Sequence, residues 1–133
     1  NSLIRLKHLI IEAASKIVKS SGGTALDYGD RRHVLISGTA SIDNRGQIVH
    51  TGDVMAQTLR MWENVGVLLD EGGCTYDDVM HMIVYLRDIA DYSAVREMYD
   101  ERFPDHPKVF VWAPVCRPGW LVEMECMAIS ERL

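Results

Sequence analysis

Apolar positions near the start of the chain fall at Leu3, Leu6, Ile10, Ala13 and Ile17, the three-and-four spacing of a single helix face. Ser2 is placed as a cap and Glu12 stands four residues before Lys16, so the pattern predicts an amphipathic helix over residues 1–20, stopped by "SSGG". The period then changes. "TALDYGD" and "RRHVLISGTASI" read as two short strands joined by a turn around Gly29-Asp30, and the "DNRG" turn at 43–46 continues the β region toward Val49. A second helical stripe follows at Val54, Met61, Val65 and Leu68, with Asp53 as its cap and Gly72-Gly73 as its stop. "DDVMHMIVYLRD" alternates as a strand does, with Met80, Met82, Val84 and Leu86 on one face and His81, Ile83, Tyr85 and Arg87 on the other. Asp91 is placed to cap a further helix that turns Tyr92, Val95, Met98, Tyr99 and Phe103 inward. After "FPDHP", two more strands, "KVFVWA" and "WLVEMECMAI", flank the turn "PVCRPG".

The order after the first helix is ββαβαββ. Strands in runs, interleaved with two helices and lacking a repeated βαβ period, predict an α+β fold: one mixed sheet with both helices on one face. The whole chain, residues 1–133, reads as a single domain whose core spans 24–129. In the last strand Val122, Met124, Cys126 and Ala128 point toward the helices, which leaves Leu121, Glu123, Glu125, Met127 and Ile129 on the opposite face. A face too apolar for water and too charged for a core has the character of a wet subunit interface. A homo-oligomer with ligand clefts between subunits is the expectation.

Composition narrows the partners. A formal charge of −5 and a pI near 5.5 give no basic stripe to neutralise phosphates, so nucleic acid is not expected as a ligand. No apolar run approaches the roughly 20 residues that cross a bilayer, so no membrane association is expected, and a cytoplasmic location is the default. Cys74, Cys116 and Cys126 form an odd set without paired spacing, as reduced thiols do. No group of His, Cys or Asp has ligand spacing, so neither a metal nor another cofactor is expected. The first residue is Asn1 rather than Met, which reads as a processed chain or a piece of a longer one.

Three stretches carry a family signal: "RRHVLISGTASID", the long run from "GDVMAQTLRMWENVGVLLDEGG" to "YDERFP", and "CRPGWLVEMECMAI". In this order they resemble the Rid superfamily, also called YjgF or endoribonuclease L-PSP, from about Thr24 to Ile129. The resemblance implies a chorismate-mutase-like α+β fold, a homotrimer with three interface clefts, and hydrolytic deamination of small enamines or imines. It singles out Glu123 as the catalytic carboxylate. In deaminating members an arginine within "P-A-R-S", fifteen residues before that glutamate, binds the substrate carboxylate; the same count here reaches Lys108 in "HPKV". The family's early "P-Y-S-Q" tyrosine falls on "SSGGT", and an asparagine frequent in the second helix is Arg96. "SGTAS" at 37–41, "GDVMAQ" at 52–57, "YLRD" at 85–88 and "CRPGWLVEME" at 116–125 are also similar to the carboxy-terminal half of chorismatases. That likeness implies action on chorismate or a related enol ether as the alternative.

Both chemistries need a fixed cation for a carboxylate, a carboxyl group for proton transfer, and water. Glu123 as acid-base group, with Arg117, Cys116, Lys108, Gly38 and Arg87 around a small carboxylate metabolite, is the expected site. Each residue also has a plainer role. Glu123 and Glu125 can be solvated or ion-paired, Arg117 an exposed turn residue, Arg87 a partner of Asp88 or Asp91, Lys108 a rim charge, and Cys116 a small apolar filler. A trimer that holds a metabolite without turnover is the non-enzymatic reading.

Overall fold

The computed structural model of the chain describes residues 22–131. The helix expected over residues 1–20 lies outside the described residues. The chain forms β1 (Gly23–Asp27), β2 (Arg31–Thr39), α1 (Val54–Glu71), β3 (Val79–Leu86), α2 (Tyr92–Arg102), β4 (Lys108–Trp112) and β5 (Val122–Glu131), the order expected from the pattern. The strands assemble as β1-β2-β5-β3-β4, antiparallel throughout except for the parallel pair β3 and β4. The last strand in sequence is thus the centre of the sheet.

One face of this sheet carries the core. Met61, Val65, Leu68 and Leu69 of α1 pack on Val34 and Ile36 of β2 and on Val84, Val122 and Met124, and every one of these is 2 % exposed or less. Val95 and Tyr99 of α2 join the same cluster, so both helices cover one side as the alternation required. Burial of each such side chain stabilises the fold by roughly 1.5–3 kcal/mol, which outweighs the propensity of any single helix. Trp62 meets Tyr99 and Phe103 edge-on, at 5.1 and 5.3 Å between ring centroids.

The ends of α1 follow the sequence. Asp53 accepts a hydrogen bond from the Ala56 N–H at 3.0 Å, and Gly73, at φ 78°, lets the Cys74 N–H return to the Leu69 carbonyl at 2.8 Å. Asp53→Ala is expected to lower stability by about 1 kcal/mol. The readout is a lower urea midpoint at unchanged slope, and an unchanged midpoint would remove Asp53 as a working cap.

Three expectations need correction. The β3–β5 register shifts between Val79 and His81, which buries Val79 and turns Met80 outward to 43 % exposure, so Met80 does not share the face of Met82. Asp91 makes no side-chain cap to α2; Asp88 instead accepts from the Ala90 N–H at 2.9 Å and starts a 3₁₀ turn, Ile89–Asp91, that leads into the helix. The segment after the 43–46 turn is held by a single bridge between Ile42 and Ile48 rather than by a strand. Asp43 organises that turn by accepting from the N–H groups of Arg45 and Gln47. Among the described residues no helix is long and apolar enough to cross a membrane.

Candidate active site

Strict alternation along β5 sends Val122, Met124, Cys126 and Ala128 into the core and Glu123 and Glu125 to the other face. Glu123 lies opposite Tyr85 of β3 and is nevertheless only 8 % exposed. Gly38 is the reason. The β2–β5 register slips between Ile36 and Thr39, and the backbone at Gly38 is pressed onto the carboxyl group: a Cβ there would stand 2.2 Å from Glu123 Oε1. The Cys116 thiol points at the same oxygen, with Sγ 3.9 Å away. Gly38, Cys116 and Glu123, predicted as one site, are therefore brought together.

Glu125, two residues on, accepts a hydrogen bond from the Tyr85 hydroxyl at 2.5 Å. That bond, then burial, then the negative charges of Glu125 and Glu123 hold the Tyr85 phenol above its ordinary pKa. The hydroxyl consequently stays protonated into alkaline solution, as a donor to Glu125. Of the other thiols, burial pushes Cys126 up to about 12, so it serves as an inert core residue on the helix side. Among the described residues, no group of three or more His, Cys, Asp or Glu is arranged to hold a metal ion.

The segment 113–121 that delivers Cys116 is a loop, and it is anchored from three sides. The Arg87 guanidinium donates to the carbonyls of Trp120 at 2.8 Å, Val115 at 2.9 Å and Arg117 at 2.8 Å. Gln57, fully buried on α1, donates to the carbonyls of His50 at 3.2 Å and Gly119 at 3.0 Å and accepts from the Leu121 N–H at 2.9 Å. A small second core of Ala40, Ile42, Val115 and Trp120, with Tyr85 and Ile48 against it, closes the third side. Arg117 sits exposed at the rim, its Nη1 donating to the Gly46 carbonyl at 2.7 Å and its guanidinium 5.0 Å from the Trp120 ring centroid.

Two predicted cations are placed away from a ligand at Glu123. Arg87 holds the loop's carbonyls, which makes it a positioning residue in this chain. Lys108 stands opposite Met82, which is buried under the helices, and so lies on the helix side of the sheet. Its Nζ donates to the carbonyls of Phe103 at 2.7 Å and His106 at 3.2 Å, satisfying groups just past the end of α2, and lies 3.7 Å from Asp100. The residues of β4 that share Glu123's face are Val109, opposite Ile83, and Val111, opposite Tyr85. Counting fifteen residues back selects the wrong side of the strand.

Gln57 and Tyr85 were not among the predicted site residues. Gln57 had a signal, since it occupies an apolar position in the stripe between Val54 and Met61. A polar residue there needs buried partners, and the loop supplies them.

Comparison with known proteins agrees with this architecture. The fold is that of the YjgF proteins: the YjgF gene product of Escherichia coli superposes with a TM-score of 0.65 at 22% identity, covering 79% of this chain and 84% of that one. The profile of the family described as endoribonuclease L-PSP matches residues 14–130, so the chain belongs to that family, within the Rid superfamily. It is similar to a RutC family protein of Pyrococcus abyssi, at 36% identity over 101 residues that cover 74% of this chain and 79% of the relative. It is also similar to the 3-aminoacrylate deaminase RutC of Acinetobacter baylyi, at 33% identity over 97 residues covering 71% and 77%.

Proposed function

We propose that this protein binds a small unsaturated carboxylate beside Glu123, in clefts closed by further copies of the chain, and hydrolyses an enamine or imine there. The observation that carries the reading is the Glu123 carboxyl itself, almost withdrawn from water on an otherwise open sheet face, with Gly38 backbone on one side and the Cys116 thiol at 3.9 Å. The likeness to a 3-aminoacrylate deaminase supports the reaction class. A homotrimer supplies the closure: Leu35 and Val109 stand 42% and 59% exposed on the same face as Glu123, an apolar surface that a neighbour would cover.

The chemistry needs one proton-carrying group. An enamine is protonated at carbon to give an iminium, water adds to the C=N carbon, and the nitrogen leaves as ammonia with the carbonyl left behind. One water enters and one ammonia departs. Glu123 takes a proton from the water and returns one to the departing nitrogen. Arg117, at the rim of the loop that bears Cys116, supplies positive charge to the carboxylate end of the ligand.

Glu123→Gln keeps the shape and removes the base. Ammonia release from freshly generated 2-aminoacrylate-type imines should fall by roughly a thousandfold with the oligomer unchanged; retained turnover would sink the assignment. A second reading, a trimer that holds a carboxylate without turnover, is favoured by β4, where Val109 and Val111 occupy the outward positions and no cation does. It is distinguished by thermal stabilisation with 2-oxo acids and no ammonia release from the parent protein. A chorismatase-like use of the same glutamate on an enol ether would appear as pyruvate release from chorismate.

A further inference from the structure

β4 is an edge strand, and among the described residues no strand pairs with its outer side. Met82 donates its N–H to the Pro107 carbonyl at 2.9 Å, and Ala113 donates to the Leu86 carbonyl at 3.1 Å. This parallel register directs the N–H groups of Val109 and Val111 toward β3, and those of Phe110 and Trp112 toward the open edge. The 3₁₀ turn at Ile89–Asp91 and α2 rise beside that edge, and a groove of about 390 Å³ lies between them. Its volume falls in the range of small-ligand sites.

The groove has an apolar wall and one charged end. Leu86, Ile89, Phe110 and Trp112 form the wall, with Ile89 and Trp112 59% and 69% exposed there, and Val109 and Val111 border it from the Glu123 side of the sheet. Tyr92 and Arg96 supply the polar end. The Arg96 Nη1 meets the Tyr92 hydroxyl, and its Nε lies 3.4 Å from Asp100 Oδ2. A guanidinium has five N–H donors in a planar fork, so those of Nη2 remain for a ligand. Asp100 is also 3.7 Å from the Lys108 amine. One carboxylate thus faces two cations, and this end of the groove carries an excess of positive charge.

We propose that this groove binds the carboxylate of a ligand with a flat, apolar body, with Arg96 as the anchor and the Trp112–Ile89 wall as the seat for the body. The free N–H groups of Arg96 Nη2 donate to the carboxylate as charge-assisted hydrogen bonds, and the outward N–H groups of Phe110 and Trp112 line the approach. A three-carbon acid would leave most of the space unfilled, whereas an aromatic or branched body covers the exposed indole. The site is separate from the Glu123 carboxyl and does not depend on turnover.

The test uses the full chain, benzoate as probe, and the indole N–H resonance of Trp112, which is fixed by its bond to the Arg87 carbonyl at 3.2 Å. Benzoate is expected to shift that resonance saturably. Benzamide, of the same shape without the charge, should bind about tenfold more weakly, and Arg96→Met should weaken benzoate by about tenfold or more, the loss of one charge-assisted pair. Ile89→Glu, an exposed change that places a like charge on the wall, should weaken it as well. Glu123→Gln should leave benzoate binding unchanged even as it removes turnover. Unaltered benzoate binding in Arg96→Met, equal binding of benzamide, or loss of benzoate binding in Glu123→Gln would each overturn the groove as the site. Absence of ammonia release in the parent protein would count against the deaminase reading alone.

Discussion

A single methyl group on residue 38 is expected to silence the site. The Cβ of Gly38→Ala would stand 2.2 Å from Glu123 Oε1 and 3.1 Å from its carboxyl carbon, well inside contact distance. Glu123 cannot retreat with its backbone, because β5 is hydrogen-bonded to β2 on one side and β3 on the other. The carboxyl must rotate away, and with it goes the approach to the Cys116 thiol. The backbone of Gly38 is not left-handed, so the damage is steric and local rather than torsional. We expect catalysis, or carboxylate binding if turnover is absent, to fall about a hundredfold while the melting temperature drops by only a few degrees. Gly29→Ala is the matched control. Gly29 is left-handed at φ +90° with nothing within 4 Å of an added Cβ, so that variant should lose about 1 kcal/mol of stability and keep its activity. Full activity in Gly38→Ala would show that the carboxyl position seen here is not the working one.

Gln57→Leu should have the largest effect on stability. The side chain is completely buried and makes three hydrogen bonds, to the His50 and Gly119 carbonyls and from the Leu121 N–H. Leucine fills similar volume and satisfies none of these groups. Each one stranded away from water costs about 1–3 kcal/mol, so a loss of about 3–5 kcal/mol in chemical unfolding is expected. The effect should also reach the site, since Leu121 and Gly119 lead directly into the strand that carries Glu123. A loss below about 1 kcal/mol would mean that water replaces the amide and that Arg87 and the small second core suffice to hold the loop.

The helices and strands were legible because burial imposes its period on them. Met61, Val65 and Leu68 announced α1, and Val122, Met124 and Cys126 announced the inner face of β5, leaving Glu123 outside by subtraction. What stayed hidden depends on single-residue slips. The register shift that exchanges Val79 for Met80, and the one that brings Gly38 onto Glu123, leave no mark in composition or spacing. The same limit explains Lys108: a period of two makes an offset of one residue the difference between opposite sides of the sheet. Arg87 was visible as a charged residue at a strand end, yet the three carbonyls it holds belong to a loop 28–33 residues later, and no local pattern encodes that meeting.

The strand order bears on how the protein comes into being. Because β5 follows every other strand in the chain and lies between β2 and β3, the hairpin β1-β2 and the β3-α2-β4 unit have no sheet contact with each other until β5 arrives. During synthesis both halves must wait with apolar edges uncovered, and the closure of the sheet is a late, long-range event. Glu123 arrives on that same strand. Assembly of the fold and completion of the candidate site are therefore one step, so a chain interrupted before Val122 would lack both.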